Sequence, residues 1–170
     1  MKLRFATVAL LAGTVALAGC KKEPPESLPP APEPTTSAPT TPAQPAGPVL
    51  GTQEHFENAV NGQNVIYFDT DRYNVDSADM AALRTQAQYL AQYPNITVTV
   101  EGHADERGTR EYNLALGERR ANSAKNYLVS LGVAANRIRT ISYGKERPVA
   151  LGSNEAAWAQ NRRAVTVVVN

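Results

Sequence analysis

The residues able to do chemistry crowd into one stretch. From Val98 to Ala121 the chain reads VTVEGHADERGTREYNLALGERRA, with Glu101, His103 and Asp105 at alternate positions, then Glu106 and Arg107, then Arg119 and Arg120 among alanines and leucines. A histidine between carboxylates could ligate a metal, but alternation sends Glu101 and His103 to one face of a strand with no second histidine nearby, and structural zinc usually recruits several Cys or His. Hydrolysis needs a nucleophile with a base and an orienting group, and no Ser-containing motif announces them. His55 falls near the edge of the folded region and is expected to face solvent, while Trp158 and Tyr143 are expected as core or rim aromatics. What remains is carboxylates and guanidiniums, whose chemistry is recognition through placed charges.

Helical spacing makes the two adjacent arginines unequal. At about 100° per residue Leu116, Arg120, Ala124, Tyr127 and Leu131 share one narrow stripe, so Arg120 faces inward while Arg119 and Glu118 turn away. A buried guanidinium keeps its proton and calls for an anion. Asp105 is the candidate: Arg120 lies about 16 Å along the helix from Thr109, and five loop residues extend about as far. Two readings of this pair are open. It is a structural ion pair pinning loop to helix, or it is a matched receptor for a zwitterion, with paired N–H donors for a carboxylate and an acceptor for an ammonium. Glu106 and Arg107 read as solvated loop charges, Arg107 being the better placed to reach a ligand.

These residues need elements to hold them. NVIYFD, Asn64 to Asp69, reads as a strand closed by a turn-rich segment; Asp76 or Ser77 then caps a helix with Met80, Leu83, Ala87 and Leu90 at helical spacing, stopped by Pro94. ITVTVEG follows as an alternating strand with Ile96, Val98 and Val100 on one face. A long helix opens near Thr109 and runs to Leu131, with Gly132 as its C-terminal cap. RIRTISYG gives a third strand, Glu155 to Gln160 a short helix, and AVTVVVN a last strand. The expected fold is α/β, a two-layer sandwich of a mixed β-sheet with helices packed on one face.

The ends of the chain differ in kind. Residues 1–19 read as a signal peptide, with cationic Lys2 and Arg4 before an apolar run too short to span a bilayer comfortably. The run ends in LAGC, which resembles the lipobox of bacterial lipoproteins. That resemblance implies lipidation of Cys20, the only cysteine of the chain, and multiple acyl chains give a stable membrane anchor. In lipoproteins of this kind an Asp after the cysteine favours retention in the inner membrane, so with Lys21 at that position the resemblance implies the outer membrane. Residues 20–52 hold the lipidated Cys and a disordered linker rich in Pro, Ala and Thr, which cannot bury enough apolar surface to fold. Fully extended, it would reach roughly 90 Å. Residues 53–170 are then the folded domain. Setting aside the charges before it leaves thirteen basic and thirteen acidic residues, so no basic footprint supports nucleic-acid binding.

The stretch VTVEGHADERGTREYNLALGERRANSAKNYL, with YFDTDRYNV, SYGKERP and NRRAVTVVV, closely resembles the outer-membrane-protein-A-like (OmpA-like) domain family over about Asn64 to Asn170. The resemblance implies a non-enzymatic module, without cofactor or metal, that binds peptidoglycan through the meso-diaminopimelate of the stem peptide. Position by position it implies that Asp105 takes the ammonium and Arg120 the carboxylate. Arg107, Asn113 and Leu116 would line the pocket, and the backbone at Thr70 and Asp71, where the first strand ends, would close it. It further implies partnership with the Tol-system proteins TolB and TolA in envelope integrity and cell division. Arg110 departs from the pattern, since members of the family often carry a proline there.

Overall fold

The strand that carries the charged stretch forms the middle of the sheet, and the rest of the domain is arranged around it. The structure, a computed structural model, describes residues 47–169. The expected signal peptide, Cys20 and most of the linker lie outside the described residues. In chain order these form α1 (Gln53–Ala59), β1 (Val65–Tyr67), α2 (Ser77–Gln92), β2 (Thr97–His103), α3 (Arg110–Ser130), a 3-10 turn (Ala135–Arg137), β3 (Ile138–Gly144), α4 (Glu155–Asn161) and β4 (Arg163–Val169). The sheet order is β1-β4-β2-β3, with β2 and β3 parallel and β4 antiparallel to both of its neighbours. The mixed sheet with helices packed on it is the expected fold. The parallel step follows from α3, which carries the chain from β2 back to the start of β3.

Local chemistry sets the helix ends where the sequence places them. Asp76 caps α2 by accepting from Asp79 N at 2.8 Å, and Thr109 caps α3 by accepting from Tyr112 N at 3.2 Å. Gly132 follows α3 at φ 98°, a conformation that costs a residue with a side chain. Arg110 leaves this start intact and pairs with Glu146 at the surface, where an ion pair contributes little. Val98 and Val100 of β2, Ile66 of β1, Ile138 of β3 and Ala164 of β4 meet Leu83 and Leu90 of α2 and Leu128 of α3 in one core. Among the described residues no helix is long and apolar enough to cross a membrane.

Three expectations need correction. The inward stripe of α3 runs through Leu116, Gly117, Arg120, Ala121, Ala124 and Leu128, whereas Tyr127 is half-buried and Leu131 exposed. The true stripe drifts because 3.6 residues per turn moves the buried line off a strict every-fourth-residue row. The ladder of β1 is shorter than Asn64 to Asp69, although Phe68 N still donates to Arg162 O at 2.9 Å beyond it. Finally, His55, expected to face solvent, is half-buried with Nδ1 2.9 Å from Tyr89 Oη, on α1, which packs against β4 with Phe56 fully buried.

Two glycines set the distance between α3 and the sheet. A Cβ on Gly102 would overlap the Gly117 carbonyl, and one on Gly117 would lie 2.8 Å from Gly102 O. At Gly102 every close neighbour is Gly117 backbone, with no flexible side chain to yield, whereas a Cβ on Gly117 would meet the Ser142 hydroxyl first. Gly102→Ala should therefore destabilise the domain by about 3 kcal/mol or more, read as a lower urea midpoint, while Gly132→Asn should cost under about 1 kcal/mol.

Candidate functional site

The site lies where β2 ends. Asp105 is buried two residues beyond that strand, and the chain turns through Gly108, at φ 84°, into α3. The turn is held from both sides. Asn113 Nδ2 donates to Arg107 O at 2.7 Å and to Thr109 O at 3.1 Å, while Lys145 Nζ donates to Glu106 O at 3.1 Å and Gly108 O at 2.6 Å. These side chains supply donors to the turn carbonyls of Glu106, Arg107 and Gly108, while Thr109 O also accepts from Asn113 N at 3.2 Å.

Asp105 binds guanidiniums, but not the one expected. Its Oδ1 accepts from Arg107 N at 3.1 Å and Arg107 Nε at 3.0 Å, its Oδ2 accepts from Arg107 Nη2 at 2.7 Å, and Arg162 Nη1 lies 3.6 Å from Oδ2. Burial pushes the Asp105 carboxyl up, but the Arg107 hydrogen bonds and the two positive charges outweigh it and hold the group below the usual carboxylate range. Arg107 also lies 4.2 Å above the Trp158 ring and donates to Thr70 Oγ1 at 3.3 Å, while Glu106 accepts from Trp158 Nε1 at 3.0 Å. Glu106 and Arg107 are exposed loop charges, as the sequence suggests, and each is also hydrogen-bonded within the site.

The expected ion pair between Asp105 and Arg120 does not form. Arg120 is 0 % exposed, and its guanidinium donates to Arg72 O at 2.9 Å, His103 O at 2.8 Å and Asp69 O at 3.1 Å. Carbonyl dipoles from the end of β2 and the loop after β1 supply the negative field that a carboxylate would have given. Burial pushes this guanidinium down to about 10, against the opposing charge of Asp105, so it stays ionised at neutral pH. Three of its five N–H groups are spent, leaving one on each terminal nitrogen.

Around these groups lies a pocket of about 250 Å³. Thr70, Asp71, Asp105, Arg107, Asn113, Leu116 and Arg120 all line it, joined by Gly108 and Tyr112. Thr70 and Asp71 belong to the loop after β1 rather than to its end, and Asp71 sits at φ 55°, a left-handed conformation that Asp tolerates better than most residues. Tyr112 Oη donates to Asp71 Oδ1 at 3.3 Å. The expected lipidation site, Cys20, lies outside the described residues.

Sequence reasoning missed Arg162 and Trp158 as neighbours of this pocket. The pairing of Gly102 with Ala164 brings the start of β4 beside the end of β2. The only textual signal for Arg162 was a pair of arginines opening an otherwise apolar strand, and its meaning depends on strand order.

His103 is a separate matter. It is 2 % exposed, its Nδ1 has no partner, and Tyr143 stacks on its ring at 5.6 Å. Glu101 Oε2 is 3.7 Å from Nε2, too far for a hydrogen bond. Burial, reinforced by Arg163 and Arg147, pushes the imidazole down to about 4. Among the described residues no three His, Cys, Asp or Glu side chains gather as metal ligands would.

Fold and pocket together define a two-layer α/β domain with a charged pocket at one end of the sheet. The OmpA family model matches residues 67–162. The peptidoglycan-associated lipoprotein of Rhizobium meliloti (strain 1021) is 58% identical over 118 residues, which span 69% of this chain and 66% of that relative, just under two thirds of its length. That of Mesorhizobium japonicum is 54% identical over 69% of each chain. The crystal structure of the peptidoglycan-associated lipoprotein from Burkholderia pseudomallei superposes with a TM-score of 0.64 at 46% identity, covering 66% of this chain and 96% of that one. The C-terminal domain of Helicobacter pylori MotB, 19% identical, shares the fold with a TM-score of 0.58 over 62% of this chain and 84% of that one. The chain belongs to the OmpA family and, within it, to the peptidoglycan-associated lipoproteins.

Two predictions follow from the charges. Arg120→Met leaves buried carbonyls without donors and should cost on the order of 3 to 5 kcal/mol in urea unfolding, where Arg119→Met, at the surface, should cost under about 0.5 kcal/mol. His103 is neutral when folded down to about 4 but protonates near 6.5 when unfolded. The unfolded chain therefore binds the extra proton between those values. Stability should fall by roughly 3 kcal/mol on acidification through that window, and His103→Phe should remove that slope in chemical melts at pH 7 and pH 4.5.

Proposed function

We propose that this domain binds peptidoglycan non-covalently through the meso-diaminopimelate of its stem peptides. The observation that carries the reading is the gathering of an ionised carboxylate and two guanidiniums, Asp105, Arg107 and Arg120, around one open pocket. The diaminopimelate side chain ends in an ammonium and a carboxylate on one carbon, so a receptor must present both signs of charge a few ångströms apart. Asp105 takes the ammonium. Arg120 offers its two unspent N–H groups to the carboxylate, and Asn113, Leu116, Thr70 and Asp71 form the walls.

Binding in this scheme is an exchange of partners. Asp105 is held by Arg107, whose side chain is 39% exposed, and in this scheme the ligand ammonium replaces one guanidinium contact. The released Arg107 turns to the ligand carboxylate. One ion pair within the protein becomes two pairs with the ligand, at no cost in unpaired charge. Arg120 cannot swing, since its three carbonyl partners fix it.

The wider role in this proposal is that of a binding module rather than an enzyme. It is anchored to the outer membrane through lipidated Cys20 and faces the periplasm. There it ties the membrane to the cell wall and works with the Tol-system proteins TolB and TolA in envelope integrity and cell division. The LAGC motif and the lipoprotein names of the relatives support the anchor, and the names also support the wall as ligand.

Calorimetric titration of the full chain with two muropeptides, one bearing meso-diaminopimelate and the other lysine at that position, tests the reading. Binding should be confined to the first, and Asp105→Asn should weaken it about 10- to 100-fold, the worth of one charge-assisted hydrogen bond. Equal binding of both muropeptides, or a folded Asp105→Asn protein with unchanged affinity, would sink it.

A further inference from the structure

A second concavity lies across the chain segment Asp69–Arg72 from the charged pocket. It holds about 310 Å³, in the range of small-ligand pockets. Asp69 and Arg72 line it, whereas the intervening Thr70 and Asp71 line the charged pocket. One strip of chain therefore separates the two. Arg162 joins them from beneath: it lines the second groove, and its Nη1 lies 3.6 Å from Asp105 Oδ2 in the first.

We propose that this groove binds a neutral N-acetylated pyranose, the glycan end of the wall fragment whose diaminopimelate occupies the charged pocket. The inference rests on the reading given under Proposed function and adds a second point of attachment to it.

The lining carries the argument. Asp69 and Asp76 balance Arg72 and Arg162 in charge, so the groove favours neither an anion nor a cation. Among the described residues the side chains of Tyr67, Asp69, Arg72 and Asn74 make no hydrogen bond to another protein group, leaving donors and acceptors of several kinds around one concavity. A sugar hydroxyl both donates and accepts, and an N-acetyl group does the same through its amide, so one pyranose meets this mixed set where an apolar side chain would desolvate it without return. Tyr67 is 51% exposed on a strand and offers its ring to the C–H face of a sugar.

The reach is adequate. Two residues separate diaminopimelate from the muramic acid of a stem peptide and span about 7 Å when extended. A single strip of backbone occupies about 5 Å. A fragment seated in the charged pocket can thus cross the strip and set its sugar in the groove.

The test is calorimetry on the full chain with three probes: a diaminopimelate tripeptide, the same tripeptide carried on its N-acetylglucosaminyl-N-acetylmuramyl disaccharide, and the free disaccharide. The disaccharide-tripeptide should bind at least tenfold more tightly than the tripeptide. Tyr67→Ala with Asn74→Ala, both at exposed side chains, should erase that advantage and leave tripeptide affinity unchanged. Equal affinities in the wild type, or a double variant that weakens both ligands alike, would overturn the groove. A sugar-dependent signal without tripeptide binding would overturn the diaminopimelate reading and keep the groove. Binding of none of the three would overturn both.

Discussion

The arrangement depends on one buried cation. Arg120 sits in the middle of α3 with no solvent exposure, and its guanidinium reaches the carbonyls of Asp69, Arg72 and His103. These carbonyls come from the loop after β1 and the end of β2, two segments with no covalent reason to lie together. A flat group with five fixed donors can bind several acceptors at once, which an ammonium on a flexible stem does less well. Desolvating a charge is costly, and the three carbonyl hydrogen bonds offset part of that cost. The loop after β1 must therefore stay closed over the helix, and the walls of the charged pocket follow from that closure.

Division of labour among the arginines follows from their burial. Arg120 is immobile and shapes the pocket; Arg107 is partly exposed and holds Asp105 ionised; Arg162 lies behind, between Asp105 and Glu155. The close approach of Gly102 and Gly117 sets how near α3, and with it Arg120, comes to β2.

Much of this was legible in the sequence, and the failures have identifiable causes. Thr109, Asp76 and Gly132 announced helix ends through local hydrogen bonding and backbone conformation, which need no distant partner. Helical spacing correctly turned Arg120 inward and Arg119 outward. The reasoning erred in requiring an anion for Arg120, because backbone carbonyls carry no signature in the residue types. It passed over α1, whose seven residues hold one buried side chain and so show little periodicity. Arg162 and Trp158 escaped notice because their place at the site depends on β4 lying beside β2.

What the sequence determined alone was therefore local or compositional: the alternation of strands and helices, the balance of charge in the folded part, and the family. Tertiary structure alone decided which charge meets which. Asp105 lies fifteen residues from Arg120, two from Arg107 and fifty-seven from Arg162, yet it binds the second and approaches the third. Coulomb attraction treats all three guanidiniums alike. Only the sheet order, the loop closure and the supply of carbonyls around each one distinguish them, and those are properties of the folded chain.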